Sequence, residues 1–371
     1  MTKVAISANT SWYLYNFRKN TITFLLSQGC EVVTVAPVDA YTEKLEALGV
    51  KHYDVFIDQN GSRPLKDIVT FLHFLRVFNQ SSPDFVLNFT PKNNIYGTLA
   101  AKLSGSKVIN NVAGLGVGFT TKGFIYYVSK LLYKCTQRFA DIVFFQNEDD
   151  KILFLRKNII REEQARRLPG SGVDIVRFTP KKAQNDGVIR FLLIARLIAE
   201  KGVYHYVEAA ESLKQVYGDK VEFSLLGFLD TSSPSAITNQ QMDVWVERGI
   251  VKYLGVSDQV EKEIAPIDCI VLPSFYREGV PKTLLEAGAM GKPIVTTNSV
   301  GCRETVDNGI NGFLCQPRDT QSLLEQLEKI IVMSEAERES LGAGSRQKMI
   351  HEFSEEIILN KYWQAITDLK G

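Results

Sequence analysis

The sequence predicts an α/β protein with two domains, each a parallel β-sheet covered by helices, that face each other across a cleft. Its 371 residues exceed what one hydrophobic core usually holds. Short runs rich in Val, Ile, Leu and Phe alternate with helical stretches and are bounded by Gly, Pro, Asn or Asp, which is typical of buried parallel strands. Between two series of such strands, residues 166–187 hold Pro169, Gly170, Gly172 and Pro180, which predicts a linker.

Each series of strands should build one sheet, with helices on both faces. The first series comprises residues 3–8, 30–37, 84–89, 107–112 and 141–147. The second series comprises residues 189–195, 221–227, 251–255, 268–274, 292–298 and 311–317. These strands predict an N-terminal domain over residues 1–168 and a C-terminal domain over residues 169–353. The last helix, about 354–371, precedes no strand and could pack back on the N-terminal domain.

The composition is that of an ordinary soluble globular protein, with 45% hydrophobic and 23% charged residues. No run approaches the ~18 apolar residues of a membrane-spanning helix, and the first residues lack the pattern of a signal peptide. The five cysteines are odd in number and form no Cys-x-x-Cys pair. Reduced thiols and a cytoplasmic location are therefore expected.

The net charge of +1 conceals an asymmetry between the two halves of the chain. Residues 1–170 carry 21 Lys and Arg against 14 Asp and Glu, whereas residues 171–371 carry 22 against 28. The excess of +7 predicts an anionic partner for the N-terminal half, although a chance excess on a solvated surface explains it equally well. The near-neutral total disfavours a nucleic-acid-binding protein.

One loop-and-helix segment places two carboxylates eight positions apart, Glu278 in the loop and Glu286 on the helix. Pro281 suits the first helical position, so the free N–H groups of the first turn, around Thr283 and Leu284, form an anion site. A diphosphate flanked by two hydroxylated rings fits this layout. Alternatively, Glu278 complements the helix dipole and Glu286 is a solvated helix residue.

Two cations follow the strand 189–195: Arg196 directly after it and Lys201 five residues later. Ligands of open parallel sheets bind beyond the carboxyl ends of the strands, so both cations are expected in the cleft. A guanidinium fork and an ammonium together suit a diphosphate leaving group. A pair of surface cations near a turn is the alternative interpretation.

The segments that carry these residues resemble the retaining glycosyltransferases of family four, which have the GT-B fold of two Rossmann-like domains. They are "LPGSGVDIVRFTP" (168–180), "IARLIAEKG" (194–202) and the long stretch 273–314. A narrower resemblance, to bacterial transferases that extend a sugar on undecaprenyl diphosphate, lies in residues 88–105, 109–120 and 298–305.

The resemblance implies a role for each charged residue. Glu278 would approach the donor sugar, Glu286 would bind the ribose of the nucleotide, and Arg196 and Lys201 would hold the donor diphosphate. The other implied donor contacts are mostly made by backbone groups: Gly279, Val280 and Pro281 at the sugar, Thr283 and Leu284 at the phosphates, and Leu254 and Gly255 at the base.

The acceptor side departs from the family pattern. Many relatives carry a His near the sugar, but Ala113 occupies a place where they show His or Glu, and the N-terminal loop lacks the usual Gly-Gly pair. The acceptor-side candidates lie in the loops 8–20, 90–94 and 113–115: Asn16, Arg18, Lys92, Asn94 and Gly114. Lys92 and Asn94 could equally be turn residues.

No metal or other cofactor is expected besides the UDP-sugar donor. A metal-dependent transferase would typically use an Asp-x-Asp pair, and the chain contains none. Loss of the diphosphate leaves an oxocarbenium-like sugar, so stabilisation of negative charge on the leaving group is the main catalytic requirement.

A basic helix is predicted over residues 122–140, with Lys130, Lys134 and Arg138 at i, i+4 and i+8. Basic residues beside aromatic and aliphatic ones suit a helix lying on anionic lipid. The alternative is a surface helix whose apolar face belongs to the core. The apolar run 71–78 is expected to be a core helix.

The expected function is transfer of a hexose or N-acetylhexosamine from a UDP-sugar to a polyprenyl-diphosphate-linked saccharide at the inner face of the bacterial membrane. The alternatives with the same fold are a nucleotide-sugar 2-epimerase and a non-catalytic nucleotide-sugar-binding subunit. The scarcity of histidine disfavours the epimerase, and the retained charged residues disfavour the non-catalytic subunit.

Overall fold

The computed structural model describes residues 1–58, 63–115, 124–230 and 233–371, except for the side chains of Phe124 and Ile125. The chain forms two compact units. Unit 1 comprises Met1–Ser171 and Ile358–Gly371, and unit 2 comprises Gly172–Ile357. The division falls inside the segment predicted as a linker.

Within the described residues, unit 1 contains a seven-stranded parallel sheet in the order β3-β2-β1-β4-β5-β6-β7. Its strands are β1 Lys3–Ser7, β2 Glu31–Ala36, β3 Lys51–Asp54, β4 Phe85–Phe89, β5 Lys107–Val112, β6 Ile142–Phe145 and β7 Ala165–Arg167. All five strands predicted for this half are confirmed. The two unpredicted strands, β3 and β7, are the polar edge strands KHYD and ARR, whose exposed positions need no apolar run.

The helices of unit 1 cover both faces of its sheet. They are α1 Ser11–Ser27, α2 Thr42–Glu46, α3 Pro64–Ser81, α4 Thr98–Leu103, α5 Phe124–Thr136 and α6 Glu148–Arg156, joined by α13 Glu355–Asp368 from the end of the chain. Inner residues of α3, α4, α5 and α6 share one hydrophobic cluster, and those of α1 and α13 share the cluster on the other face. The expected core position of residues 71–78 holds for Phe74, Val77 and Phe78.

The C-terminal helix packs on unit 1. Ile358, Tyr362 and Ile366 of α13 are buried in the same cluster as β1 and β4, and the Tyr362 hydroxyl donates a hydrogen bond to Asn111 Oδ1 at 2.6 Å. Arg166 adds an ion pair with Asp368 at 2.8 Å. These contacts are why residues beyond 357 belong to the first unit.

Unit 2 contains, within the described residues, a six-stranded parallel sheet in the order β10-β9-β8-β11-β12-β13. Its strands are β8 Ile189–Ile194, β9 Val221–Leu226, β10 Lys252–Tyr253, β11 Cys269–Leu272, β12 Ile294–Thr297 and β13 Gly312–Cys315. Its helices are α7 Val203–Tyr217, α8 Asn239–Glu247, α9 Val260–Ile264, α10 Lys282–Ala289, α11 Thr320–Val332 and α12 Glu335–Glu352. Every strand predicted for this half is confirmed, as is the prediction of two parallel sheets.

A row of polar side chains crosses the middle of the unit 1 sheet. Ser7, Asn88 and Asn110 stand in register on β1, β4 and β5 and are buried. Ser7 Oγ lies 2.6 Å from Asn88 Oδ1, Asn88 Nδ2 donates to Asn110 Oδ1 at 2.9 Å, and Asn110 Nδ2 donates to Gln137 Oε1 at 2.7 Å. We call these four residues the amide row. Because its members satisfy one another, the row can remain buried.

Candidate active site

The loops that follow β8 and β11 are held against each other in unit 2 by a close backbone approach. Gly202, with φ +78°, ends the turn after β8, and a Cβ atom there would lie only 2.1 Å from the carbonyl oxygen of Pro273. The amides of Phe275 and Tyr276 donate to the carbonyl oxygen of Glu200 at 2.9 and 3.1 Å. Only glycine fits this turn, which brings the two loops into contact.

This contact joins two predicted catalytic residues that stand 77 positions apart in the sequence, Lys201 and Glu278. Lys201 Nζ forms an ion pair with Glu278 Oε1, and the same oxygen accepts a hydrogen bond from Ser274 Oγ at 2.9 Å. The Lys201 and Glu278 side chains are only 13% and 11% exposed, so the pair is weakly screened by water.

The loop that carries Glu278 is fixed by hydroxyl groups from the next strand. Ser299 Oγ donates to the carbonyl oxygen of Ser274 at 3.0 Å, and Thr297 Oγ1 donates to the same oxygen. Gly301, with φ +85°, packs so closely that an added Cβ atom would lie 1.7 Å from the carbonyl oxygen of Gly279. The loop after β12 is therefore a support on which Glu278 is positioned. Ser274 and Ser299 were not predicted, although both stand where a strand ends.

Arg196 lies in the turn after β8 but pairs with a different carboxylate. Its Nη1 is 3.2 Å from Asp230 Oδ2, and the Arg196 side chain is 43% exposed. Asp230 was also missed by the sequence analysis. The sequence could have indicated Asp230, because it follows β9 as Arg196 follows β8, and the two strands are adjacent and parallel.

Helix α10 differs in detail from the sequence prediction. Pro281 is the N-cap residue, with φ −63° and ψ 119°, instead of the first helical residue. The Leu284 amide donates to the carbonyl oxygen of Pro281 at 3.1 Å, so the prediction of a free Leu284 N–H is wrong for this conformation. Thr283 is half-buried at the same end of the helix.

Glu286 is buried on α10, contrary to the alternative that it is a solvated helix residue. Burial raises the pKa of its carboxyl above the ordinary glutamate range, and the ammonium of Lys282, 3.9 Å away, partly offsets this. Burying a carboxylate is costly for the fold unless it is well paired, and the Lys282 ammonium at 3.9 Å is a distant partner. Such a group is a candidate for a functional role.

The other donor-side candidates lie in the loop before α10 or directly after β10. Gly279 and Val280 are buried in the loop between Glu278 and α10. Leu254 is 40% exposed after β10, and the carbonyl oxygen of Gly255 accepts a hydrogen bond from the Gly227 amide at 2.8 Å. These positions lie at the carboxyl ends of the strands, as predicted.

Most of the acceptor-side candidates of unit 1 are buried or bonded to other residues of the unit. Arg18 is 1% exposed, with its guanidinium carbon 4.1 Å from the centre of the Phe89 ring and Nη2 donating to the Tyr13 hydroxyl at 3.2 Å. Arg18 therefore packs inside unit 1, and its role at the phosphates or the acceptor stays a prediction. Asn16 remains exposed on α1.

Both acceptor-side candidates of the loop after β4 bond to other parts of unit 1. Lys92 Nζ pairs with Asp67 Oδ1 at 2.7 Å, which ties the loop to α3. Asn94 is buried in the π-helical turn Asn93–Gly97, where its Nδ2 donates to the carbonyl oxygen of Asn111 at 2.8 Å. Both residues contact other parts of unit 1, and their acceptor-side role stays a prediction. Gly114 stays at the surface, with φ +95°.

The predicted basic helix 122–140 corresponds to α5 and the short turn after it. Lys122 and Gly123 of that prediction lie outside the described residues, as do residues 116–120 of the motif 109–120. Lys130 is half-buried, Lys134 is exposed, and Arg138 is exposed in the short turn after the helix. Tyr127 and Leu131, each 61% exposed, share the outward face with Lys134.

Two further features concern residues 1–58, 63–115, 124–230 and 233–371. Within these ranges, no group of three or more His, Cys, Asp or Glu side chains is placed to hold a metal ion. No helix in the same ranges combines the length and the hydropathy that crossing a bilayer requires.

Comparison with known proteins decides the family. The family model for group 1 glycosyl transferases matches residues 189–332, and the model for 4-like glycosyl transferases matches residues 3–147. The chain is a GT-B glycosyltransferase. The two matches correspond to the sheet-bearing parts of unit 2 and unit 1, and together they span most of the transferase sequence.

Curated relatives and solved structures agree with this family. The glycosyltransferase is 29% identical, over 94% of both chains, to the N,N'-diacetylbacillosaminyl-diphospho-undecaprenol α-1,3-N-acetylgalactosaminyltransferase of Campylobacter jejuni. It is 26% identical to the Escherichia coli UDP-Gal:α-D-GlcNAc-diphosphoundecaprenol α-1,3-galactosyltransferase, over 72% of this chain and 71% of the relative. The crystal structure of Anabaena HepE in complex with UDP has the same fold, with a TM-score of 0.79 and 17% identity over 99% of this chain and all of the other.

Proposed function

We propose that this glycosyltransferase moves a hexose or N-acetylhexosamine from a UDP-sugar to a polyprenyl-diphosphate-linked saccharide, with retention of configuration and without a metal ion. The observation that carries the proposal is the meeting of Lys201 and Glu278 in the loops that follow the adjacent strands β8 and β11. The names of the two curated relatives support the acceptor class, since both act on sugars linked to undecaprenyl diphosphate.

Lys201 and Arg196 are the proposed stabilisers of the leaving diphosphate. An ammonium has three N–H donors, so Lys201 can bond a phosphate oxygen while it remains paired with Glu278. Arg196 is more exposed and can turn its guanidinium from Asp230 to a second phosphate oxygen. Two cations placed at the leaving group lower the energy of the negative charge that develops there.

Glu278 is the proposed contact to the reacting sugar. Ser274 and Lys201 hold one of its oxygens, which orients the carboxylate without help from the substrate. A carboxylate held in this way can accept hydrogen bonds from sugar hydroxyls and stabilise positive charge on the sugar ring. In the proposed retaining transfer, the leaving phosphate takes the proton of the acceptor hydroxyl, and the new glycosidic bond forms on the face that the diphosphate leaves.

Glu286 is the proposed ribose ligand. Its carboxylate is buried on α10, eight residues after Glu278 in the sequence, and burial raises the pKa of this carboxyl. Two hydroxyls of a ribose would donate hydrogen bonds to this buried carboxylate and so offset the cost of its burial. The Gly279 and Val280 backbone is proposed to contact the sugar, Thr283 the phosphates, and Leu254 and Gly255 the base.

The enzyme is proposed to work as a peripheral protein on the cytoplasmic face of the membrane. The exposed face of α5 mixes Tyr127 and Leu131 with Lys134, which suits contact with anionic lipid. A polyprenyl-linked acceptor resides in the bilayer, so attachment there would bring the enzyme to its substrate. The 2-epimerase and the non-catalytic subunit are less well supported, because the compared relatives are named as transferases.

The test is a matrix of UDP- and GDP-sugars against a polyprenyl-diphosphate-linked saccharide, a free saccharide and a protein acceptor, with products identified by mass spectrometry. We expect transfer from a UDP-sugar to the lipid-linked acceptor, unaffected by EDTA, and a product of the same anomeric configuration as the donor by NMR. Transfer only to the free saccharide or the protein would overturn the acceptor class. Loss of activity with EDTA would overturn the metal-independent mechanism.

A further inference from the structure

Helix α3 of unit 1 has a second apolar face that points away from the core. Leu65, Ile68, Val69 and Leu72 are 81%, 55%, 41% and 52% exposed. Their spacing of i, i+3, i+4 and i+7 places them in one stripe along the helix. The inner face is formed by other residues: Thr70, Phe74, Val77 and Phe78 are buried. At about 100° per residue, the two faces lie on opposite sides of the helix.

The exposed charged residues on α3 and at its start are all cations, which suits an anionic partner. Lys66 and Arg76 are exposed beside the apolar stripe, and Arg63 is exposed at the helix start. The one acidic residue of the helix, Asp67, is buried and paired with Lys92 at 2.7 Å. The outward face of α3 therefore combines aliphatic side chains with cations and presents no carboxylate.

The outward face of α5 has the same character and belongs to the same side of unit 1. Both helices pack against the π-helical turn Asn93–Gly97, and their inner residues join one hydrophobic cluster. The segment of α5 contains no acidic residue, and its Tyr127 and Leu131 are exposed with Lys134. Two neighbouring helices thus display basic and apolar side chains on the side away from the sheet.

We propose that the stripe Leu65–Ile68–Val69–Leu72 of α3 inserts into the headgroup and acyl-chain boundary of an anionic membrane and, with α5, docks unit 1 on the bilayer. The inference rests on the proposed function, because a lipid-linked acceptor requires access to the bilayer. The 18 residues of α3 span ~27 Å, and its charged residues require it to lie flat on the surface. A second copy of the chain fits poorly, since an antiparallel two-fold pairing of α3 would bring Lys66 of one copy towards Arg76 of the other, two like charges.

The test measures partition of the full-length protein onto vesicles of phosphatidylcholine with 30% phosphatidylglycerol, by cosedimentation at low salt. The triple variant Leu65→Ser/Ile68→Ser/Leu72→Ser should bind at least tenfold more weakly than the wild type. The matched control Val176→Ser/Val216→Ser/Val332→Ser removes three aliphatic side chains of unit 2 that are at least as exposed on average, and should bind like the wild type. Equal loss in both triple variants, or none in the first, would overturn the proposal.

The cations are tested separately. Lys66→Gln/Arg76→Gln should reduce the preference for phosphatidylglycerol over pure phosphatidylcholine vesicles several-fold, whereas Lys157→Gln/Lys220→Gln, at exposed positions elsewhere, should not. If the wild type binds neither vesicle but is retained by an acidic protein, the partner is a protein and the proposal is wrong.

An acceptor with a short, water-soluble polyprenyl chain separates this inference from the proposed function. The α3 triple variant should transfer sugar to the soluble acceptor at the wild-type rate and lose most of its transfer to an acceptor embedded in vesicles. A wild type that binds vesicles but glycosylates neither acceptor would overturn the proposed function and leave the membrane surface standing.

Discussion

The two units share a parallel-sheet architecture but use polar side chains at their strands in opposite ways. In unit 1, Ser7, Asn88 and Asn110 lie across the sheet, buried and bonded to one another. In unit 2, Lys201 and Glu278 stand beyond the strand ends, charged and still reached by solvent. A polar residue near the end of a parallel strand is therefore not by itself a binding residue, because mutual satisfaction can make it part of the scaffold.

The contrast is sharpest between two lysine–carboxylate pairs. Lys92–Asp67 and Lys201–Glu278 are both close, half-buried and far apart in sequence. The first joins a loop to α3, where burial, and then the nearby Asp67, hold the pKa of the Tyr96 hydroxyl above its usual range. The second is bonded to Ser274 and lies at a turn that only Gly202 allows. We interpret the first pair as structural and the second as catalytic.

The largest effect is expected when these pairs are broken one at a time. Lys201→Ala should lower kcat by about 10³-fold, because it removes a charge-stabilising donor. Lys92→Ala should leave kcat within twofold and lower the free energy of unfolding by about 2 kcal/mol, because Asp67 loses its partner in a buried position. Steady-state kinetics and urea denaturation measure both quantities for both variants.

Lys102→Ala serves as the control, since its pair with Asp141 at 2.7 Å involves neither the loop after β4 nor the loops after β8 and β11. A fall in kcat with Lys92→Ala as large as that with Lys201→Ala would show that the loop after β4 is functional after all.

A smaller effect is expected from the amide row. Asn110→Ala should lower the stability of unit 1 by about 3 kcal/mol, because Asn88 and Gln137 are left with unsatisfied buried groups. Hydrogen exchange of β4 and β5 amides should localise the loss, and Asn239→Ala, at an exposed position, should change stability by less than about 0.5 kcal/mol. Unchanged protection in unit 1 would contradict the scaffold role.

The smallest effect concerns the buried carboxylate of unit 2. The pKa of Glu286 is raised in the folded state, so the folded protein holds this proton to a higher pH than the unfolded chain does. The free energy of unfolding therefore falls as the pH rises from the ordinary glutamate pKa through the raised pKa of the folded state. Glu286→Gln should remove this fall and stabilise the protein slightly at neutral pH, while UDP binds about tenfold more weakly. Thermal melts at pH 4 to 8 and calorimetry with UDP provide the measurements.

Glu352→Gln, at an exposed position on α12, is the matched control and should alter neither quantity. A variant with the wild-type pH profile but weaker UDP binding would show that Glu286 binds the nucleotide without being destabilised by burial.

Much of the fold followed from local pattern. The apolar runs predicted eleven strands, because a strand buried on both faces must be apolar along its length. The edge strands β3 and β7 escaped prediction because an edge carries no such requirement. The second apolar face of α3 was likewise absent from the prediction, since a periodic pattern alone does not say which of two faces meets the core.

For the candidate site, the sequence alone determined residue types and their order along the chain: Arg196 and Lys201 after one strand, Glu278 and Glu286 around one helix start. The tertiary structure decided which of them meet and which polar residues are hidden. Lys201 reaches Glu278 because Gly202 lets two distant loops touch, whereas Arg18 and Asn94 are enclosed by neighbours from other elements. Burial and pairing depend on packing between remote segments, and no local pattern encodes that packing.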